Sequence, residues 1–290
     1  MRVSIVICTY NRFELLQENI FNIINNVDGS CEAEVLIIDN NSTDKTYERI
    51  KKCIIENDFN NIKVFQEIRQ GLSFARNHGL ELSTGDIVVY LDDDAFPSKG
   101  WLKTIISRFE KDGVRVLGGE VLPKYEIDRP EWLGNPILGL YSVMELEKGF
   151  YPLASPLHPL GANMAFDRRI IEKILFPIEL GRKGDSLMSG EESYVFSEIR
   201  KSGVDIYYDS DMSVKHFISK QRLTKDWIIS RHKFEGKTKK QLSSTGKFAS
   251  LKVFTVSAIK VVFFSCCAIL SKKNRFSYYC KVISALNTIK

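Results

Sequence analysis

A chain of 290 residues that is 44% hydrophobic and 27% charged has the composition of a folded protein with one sizeable core and an appendage, which excludes a disordered chain. The net charge of +5 is unevenly distributed, because the residues from Lys215 onward hold 17 of the 41 basic residues and only 2 of the 36 acidic residues. That segment carries +15 and the preceding residues carry −10. We therefore predict an acidic domain followed by a basic tail.

Strand-like and helix-like segments alternate along the first third of the chain. The predicted strands cover residues 3–8, 35–38, 62–66 and 87–91, and the predicted helices cover residues 13–25, 44–56 and 75–82. This alternation favours a parallel sheet with right-handed crossovers, whose ligand crevice lies beyond the carboxyl ends of the strands. Thr9, Asp39 and Asp92 each follow or end a strand, so we expect one crevice to collect all three.

The polar residues after the first two strands also have a purely structural interpretation. Asn11 and Glu14 have the spacing of a capping box at the start of the first helix. Asp39 and Ser42 fit an Asx turn before the second helix. Both interpretations compete with ligand binding for the same side chains.

Three consecutive acids, Asp92, Asp93 and Asp94, follow the fourth predicted strand. Carboxylates crowded on one turn repel one another unless a cation offsets their charge, and Mg2+ and Mn2+ prefer oxygen ligands. The sequence therefore predicts a divalent cation site at this strand end. A solvated acidic loop is the alternative.

A second acidic pair, Glu191 and Glu192, lies about a hundred residues later. Ser189 and Glu192 have the spacing of a capping box, so the pair is predicted to begin a helix that ends near Gly203. The positive end of a helix dipole favours the carboxylate form of such acids. The pair is therefore a candidate for proton transfer as well as for capping.

The segment 122–160 is rich in proline and aromatic residues, which predicts loops rather than core. Aromatic faces pack against the apolar faces of sugar rings, so Trp132 and Tyr151 are candidates for binding a sugar. The alternative is that each ring only packs its loop against the sheet.

Apolar residues of the basic tail are concentrated in residues 253–270, with Lys260 as the single interruption. A central lysine costs about 3 kcal/mol on insertion scales, so a spanning helix ranks last. We expect a helix lying in the plane of an anionic membrane surface. Burial against the preceding acidic domain or a second subunit, as in a homodimer, is the alternative. No nucleic-acid-binding motif accompanies the basic charge, so we expect no nucleic acid partner.

The cysteines indicate a reducing compartment. The chain has six of them: Cys8, Cys31, Cys53, Cys266, Cys267 and Cys280. None forms a CxxC pair, and none has a histidine at metal-binding spacing, so we interpret them as small apolar residues. The first predicted strand begins at residue 3, so we expect no signal peptide and a cytoplasmic protein.

Six segments in order resemble the inverting family-2 glycosyltransferases: VSIVICTYNR, EVLIIDNNSTD, GLSFARNHGL, GDIVVYLDDDA, GANMAF and SGEESYVFSEIRKSG. The resemblance covers roughly residues 1–220 and implies the GT-A fold, an α/β fold with a mostly parallel central sheet flanked by helices. It also implies a domain over 1–222, made of a nucleotide-binding half (1–121) and an acceptor half (122–222). The basic extension over 223–290 is then expected to be helical and partly apolar.

Several residues match functional positions of that family. The resemblance implies that the nucleotide sugar is bound by Thr9, Asn11, Arg12, Asp39, Asn41, Gly71, Arg76, Asn77, Asp92, Asp93 and Asn163. It implies that the metal, Mg2+ or Mn2+, is held by Asp94, Asp92 and His216. Glu192 takes the position of the general base, and Glu191 supports it. The family commonly has Asp at the second position, so the assignment of the base between these two neighbours stays open.

The resemblance implies an inverting transfer of a sugar from a nucleoside diphosphate sugar, with a UDP-sugar as the expected donor. The expected acceptor is a hydroxyl of a saccharide or lipid-linked molecule, with Trp132 and Tyr151 as the candidate acceptor-binding residues. The expected role is bacterial polysaccharide or glycolipid synthesis at the inner face of the cell membrane. A nucleotidyltransferase that makes the activated sugar is one alternative, but the expected glycine-rich loop is replaced by residues 9–12. A binding module without catalysis is the other.

Overall fold

The computed structural model describes residues 1–26, 32–184, 188–243, 247–271 and 274–289. Cys31, Lys272 and Lys273 lie outside the described residues. Within these ranges the strands are β1 (Val3–Thr9), β2 (Ala33–Asp39), β3 (Ile62–Gln66), β4 (Ile87–Asp92), β5 (Ala95–Pro97), β6 (Val116–Tyr125), β7 (Phe150–Pro152), β8 (Asn163–Asp167) and β9 (Tyr207–Ile218). The α-helices in the same ranges are α1 (Phe13–Asn26), α2 (Thr46–Glu56), α3 (Leu72–Leu82), α4 (Trp101–Lys111), α5 (Arg168–Ile171), α6 (Glu191–Lys201), α7 (Lys225–Ser243), α8 (Lys247–Leu270) and α9 (Arg275–Ile289). Two 3-10 helices cover Asn135–Tyr141 and Lys220–Leu223.

The first four strands form the parallel half of one sheet in the order β3-β2-β1-β4. Their apolar runs are buried nearly throughout in β1, β2 and β4, as expected of strands covered on both faces by helices. Each predicted strand and helix of this region is present, with boundaries within a few residues of those expected. The parallel sheet predicted from the alternation is therefore confirmed for this half.

The other half of the sheet contains antiparallel pairs beside the parallel half. The strand order continues β4-β8-β6-β9-β5, and the pairs β4 with β8, β6 with β8, and β5 with β9 are antiparallel. Strand β8 enters beside β4 in the opposite direction, which needs no crossover helix. The sheet is thus mixed, with helices flanking it.

Two local details correct or support the capping interpretations. Asn11 does not cap α1, because it has a φ of 53° and its side-chain Oδ1 accepts a hydrogen bond from the backbone N–H of Thr43 at 2.8 Å. The backbone N–H of Leu16 instead donates to the carbonyl of Arg12. The turn at Asp39 is present, since the backbone N–H of Ser42 donates to Asp39 Oδ2 at 3.1 Å.

The chain divides into two compact units. Unit 1 comprises residues 1–122, 144–179 and 191–217, and contains the large core of the sheet; unit 2 comprises residues 123–143, 180–190 and 218–290. Unit 2 has a small core of its own, built from Leu133, Ile137, Tyr141, Ile218, Leu223, Ile228 and Cys280. Part of the segment that we assigned to an acceptor half thus shares a core with the C-terminal helices, because its aromatic and aliphatic side chains pack on α7 and α9.

The apolar run of the tail lies in α8. Among the residues that the structure describes, no helix has the length and apolarity needed to cross a membrane.

Candidate active site

The carboxyl ends of the parallel strands bring the first group of polar residues together. In the sheet register Thr9 is opposite Asp39, and Cys8 is opposite Asp92. The hydroxyl of Thr9, which is buried, donates to Asp93 Oδ2 at 2.8 Å. These strand ends therefore meet at one edge, as the alternation of elements predicted.

Asn40 is a residue whose positioning role sequence reasoning missed. Its backbone N–H donates to the carbonyl of Thr9, and its side-chain Nδ2 donates to the carbonyls of Glu67 and Arg69 at 3.2 and 2.8 Å. Its Oδ1 accepts from the backbone N–H of Gly71 at 2.7 Å. Asn40 thus ties β1 and β2 to the loop after β3. Its only sequence signal is its place in the polar run that follows β2.

Asp39 offers an acceptor at the carboxyl end of β2. The residue is fully buried, Oδ2 accepts from Ser42, and Oδ1 has no hydrogen-bond partner. Burial raises the pKa of Asp39 above its ordinary value. A buried, unsatisfied carboxylate oxygen is costly unless a ligand supplies a donor. Nearby, Asn41 is exposed and has a φ of 61°, and Gly71 has a φ of 144°, a region that favours glycine.

Arg12 neutralises two of the three consecutive acids. Its Nη1 donates to Asp93 Oδ1 at 3.0 Å and to Asp94 Oδ2 at 2.6 Å. Burial and the repulsion of Asp94 raise the pKa of Asp93 to about 6, although the Arg12 charge acts in the opposite direction. Asp93 therefore faces Thr9 and Arg12. It is an internal anchor that holds the turn rather than a free ligand.

Asp92 and Asp94, the outer two of the three acids, form a candidate metal centre with His216. One ligand atom from each of Asp92, Asp94 and His216 lies within 4.8 Å of the others. The pairing of β5 with β9 sets Ala95 opposite His216, which brings the imidazole next to the acids. His216 Nε2 lies 2.9 Å from Asp94 Oδ1, and both side chains are almost completely buried. Two carboxylates and one imidazole fit a divalent cation that accepts oxygen and nitrogen ligands.

Arg76 connects the two acidic groups across the crevice. Its Nη1 donates to Glu191 Oε1 at 3.0 Å and to Glu192 Oε1 at 3.1 Å, and its Nη2 lies 3.8 Å from Asp92 Oδ1. The guanidinium is 3% exposed, so these acids are its immediate surroundings. The resemblance implies that Arg76 binds the nucleotide sugar, and in the structure its Nη1 pairs with the two acids of α6.

Glu191 and Glu192 have different protonation behaviour although they are neighbours. Burial and the charge of Glu192 raise the pKa of Glu191 to about 8. Burial opposes ionisation of Glu192 too, but Arg76 and hydrogen bonds from the backbone and from Glu191 lower its pKa below the ordinary value. Near neutral pH the pair therefore holds one proton on Glu191 and one negative charge on Glu192. An ionised carboxylate in this position can accept a proton.

This difference predicts a pH dependence of stability. Folded Glu191 keeps its proton up to about pH 8, whereas the unfolded chain releases it near the ordinary value of 4.5. The folded state binds more protons between these values, so this residue's contribution to stability falls as the pH rises through that window. Glu191→Gln cannot lose a proton. We expect melting temperatures, measured from about pH 5 to pH 8, to fall less steeply in the variant than in the wild type. Parallel curves for the two proteins would contradict this assignment.

Gly161 allows the backbone to approach this pair closely. A Cβ atom at Gly161 would overlap Arg76 Nη2 and Glu192 Oε1. Any larger residue must therefore displace the ion pair. This explains why glycine stands here in the GANMAF segment.

Two other predicted residues, Asn163 and Asn77, have structural partners. Asn163 is fully buried; its Oδ1 accepts from Trp101, and its Nδ2 donates to the carbonyls of Glu120 and Met212. Both amide donors of Asn163 are thus used inside the protein, which favours a structural role over contact with a sugar. Asn77 Nδ2 donates to the carbonyl of Phe176, and Asn77 Oδ1 accepts from its backbone N–H, each at 2.9 Å.

The two predicted acceptor residues lie in different units. Tyr151, in β7 of unit 1, is partly buried, and its hydroxyl donates to the carbonyl of Glu147 at 3.0 Å. Trp132 belongs to unit 2, where its ring packs edge-on against Phe276 at a centroid distance of 5.2 Å. The contact of Trp132 agrees with the packing alternative.

Known proteins similar to this chain transfer sugars. A glucosyl-dolichyl phosphate glucuronosyltransferase of Haloferax volcanii is 28% identical over 280 residues, which cover 90% of this chain and 86% of that protein. A GalNAc(5)-diNAcBac-PP-undecaprenol beta-1,3-glucosyltransferase of Campylobacter jejuni is 30% identical over 155 residues, or 53% of this chain and 48% of the relative.

A solved structure has the same fold. The mannosyltransferase PcManGT of Pyrobaculum calidifontis, in complex with GDP-Man and Mn2+, superposes with a TM-score of 0.67 at 18% identity, and the alignment covers 99% of this chain and 86% of that one. The fold is therefore GT-A, as the resemblance implied. The model of the family described as glycosyl transferase family 2 matches residues 4–175, more than half of the chain. With its ordered motifs, its GT-A sheet and its facing acidic groups, the chain belongs to glycosyl transferase family 2 and is a glycosyltransferase.

Proposed function

We propose that this enzyme transfers a sugar from a nucleoside diphosphate sugar to an acceptor hydroxyl with inversion at the anomeric carbon. The main support is that one guanidinium, Arg76, contacts Glu192 on one side and reaches towards Asp92 on the other. An ionised carboxylate and the metal-binding acids therefore lie within the span of a single side chain. A single displacement needs these two groups on opposite sides of the reacting carbon.

The donor end of the site is formed by the parallel half of the sheet. The free Oδ1 of Asp39 can accept an N–H from the nucleotide base, and this supports the assignment of Asp39 to base recognition. Asp92, Asp94 and His216 have the donor set for a divalent cation, which supplies positive charge to the diphosphate when bound. We propose Mn2+ rather than Mg2+, because an imidazole nitrogen is a poor ligand for Mg2+.

The acceptor end is formed by α6. In the proposed reaction Glu192 takes the proton of the acceptor hydroxyl as that oxygen bonds to the anomeric carbon. The bond from this carbon to the diphosphate oxygen breaks in the same step, and the nucleoside diphosphate leaves with the bonding electrons. Glu191, whose pKa is raised, shares with Glu192 the Nη1 donor of Arg76. Arg76 keeps Glu192 ionised, although the same ion pair weakens it as a base.

We propose that the acceptor is carried by a lipid at the inner face of the cell membrane. The support comes from the relatives, whose names specify dolichyl phosphate and undecaprenol diphosphate acceptors. The basic C-terminal segment, with its charge of +15, is suited to an anionic membrane surface.

A thermal-shift screen tests the proposed donor chemistry. A ligand that binds only the folded state raises the melting temperature. We expect UDP, GDP or one of their sugar conjugates to raise it in the presence of Mn2+ and to have little effect after chelation. Cytidine monophosphate sugars, which carry one phosphate, serve as the matched control. Equal shifts with and without Mn2+, or no shift with any nucleoside diphosphate, would contradict the proposal.

A further inference from the structure

Helix α8 carries its large apolar residues on the outside. The exposed ones among its described side chains are Phe254, Val256, Ile259, Val262, Phe263, Ile269 and Leu270, with exposed fractions from 40% to 84%. Among the side chains described over 254–270, Lys260 is the only charged residue. A helix on the surface of a protein in water normally shows the opposite distribution.

The sides on which the C-terminal helices meet are small and polar instead. Ser257 of α8 and Ser277, Ser284 and Thr288 of α9 are all at least 94% buried. The backbone of α9 also comes so close to α7 that a Cβ atom at Gly236 would overlap the carbonyl oxygen of Ser284. Close packing through small and hydroxyl residues, with large apolar residues outside, is the pattern of helices whose surroundings are lipid rather than water.

Aromatic rings and lysines accompany the apolar surface within unit 2. Lys225 Nζ lies 5.6 Å from the ring centroid of Trp132 and 5.5 Å from that of Phe276. Lys281 Nζ lies 5.3 Å from the ring centroid of Phe264 on α8. Tryptophan rings and lysine chains, apolar along their length and polar at one end, are enriched where a membrane meets water.

We propose that α8 lies in the plane of an anionic membrane with this exposed face among the acyl chains. The positive charge of the C-terminal segment favours an anionic membrane over a second copy of the chain as the partner of this face. The residues from Lys215 onward carry +15, which an anionic surface attracts and an identical face repels. The inference deepens the proposed function, because an enzyme docked in this way meets an acceptor carried by a membrane lipid.

The matched variants compare the same substitution at equally exposed sites. Ile269 on α8 and Ile55 on α2 are 74% and 71% exposed. Sedimentation with vesicles of phosphatidylglycerol and phosphatidylcholine measures the binding of the full chain. We expect Ile269→Glu, and likewise Ile259→Glu, to weaken vesicle binding about tenfold, because each loses apolar burial and adds a repelled charge. We expect Ile55→Glu to bind as the wild type does.

Cys266 provides a direct reporter, since it is exposed on α8. A polarity-sensitive fluorophore is attached to Cys266 in a Cys31→Ser/Cys267→Ser background. Its emission should shift to shorter wavelength when anionic vesicles are added, and lipids brominated near the headgroup should quench it. The proposal is overturned in favour of a spanning helix if lipids brominated near the bilayer centre quench most strongly and alkaline carbonate releases no protein.

Two further outcomes would reject the proposal. One is vesicle binding that is equal for Ile269→Glu, Ile55→Glu and the wild type. The other is a wild-type dimer that Ile269→Glu converts to a monomer, with no affinity for vesicles, which would assign the face to a second copy. Nucleotide binding measured without vesicles keeps the two proposals separate, because it tests the donor site and is independent of α8.

Discussion

Glu192→Gln is expected to lower turnover by a factor of about 100 to 10,000, the range in which a positioned general base contributes. Glutamine keeps the shape of the side chain, and its carbonyl can still accept the hydrogen bond from Arg76 Nη1, which is 3.1 Å long in the wild type. It cannot accept the proton of the acceptor. We therefore expect the loss in kcat, with the affinity for the nucleoside diphosphate nearly unchanged. Steady-state kinetics and nucleotide titration on the same preparation measure both.

Glu191→Gln is the matched control for this experiment. Because burial and the charge of Glu192 keep Glu191 protonated near neutral pH, the glutamine resembles the form that the wild type already has. We expect a much smaller loss of turnover than for Glu192→Gln. If Glu191→Gln abolishes turnover and Glu192→Gln does not, the base is Glu191. If both variants stay active, the pair only begins α6, and the proposed mechanism is wrong.

Asp94→Ala is expected to abolish the metal-dependent part of nucleotide binding. Asp94 contributes one of the three ligand atoms that lie within 4.8 Å of one another, and it also orients His216. Removing it leaves one carboxylate and one imidazole, too few protein ligands to hold a divalent cation firmly. Calorimetric titration of nucleoside diphosphate with and without Mn2+ measures the effect. We expect the affinity gained from Mn2+ to disappear, a change of about two orders of magnitude or more.

The fold should survive Asp94→Ala, because Arg12 keeps its other partner, Asp93. A melting temperature without metal close to that of the wild type serves as the control. His216→Ala should reduce the gain from Mn2+ as well, but it leaves both carboxylates. Unchanged Mn2+-dependent affinity in Asp94→Ala would remove Asp94 from the metal centre.

The sequence by itself determined the parallel half of the sheet and the order of its elements. Short β-branched runs alternate there with amphipathic segments, and such local patterns depend only on near neighbours in the chain. The convergence of Thr9, Asp39 and Asp92 followed from the same patterns, because parallel strands end at one edge of their sheet. The resemblance to family-2 glycosyltransferases added the expected chemistry of the acids, and the family match confirmed the class.

Only the tertiary structure decided which partners the polar side chains have. Arg76 pairs with acids 115 and 116 residues away, a contact that no local spacing encodes. Both glutamates are buried, and Arg76 and hydrogen bonds, which lower the pKa of Glu192, distinguish it from Glu191. Asn163 points inward and accepts a hydrogen bond from Trp101. The direction of β8 beside β4 depends on the path of the chain through the elements between them, which no local pattern encodes. Protonation and hydrogen-bond pairing in this protein are set by long-range packing, because a polar group that is buried loses its water and depends on the groups packed beside it. Strand direction also depends on contacts between segments far apart in the chain.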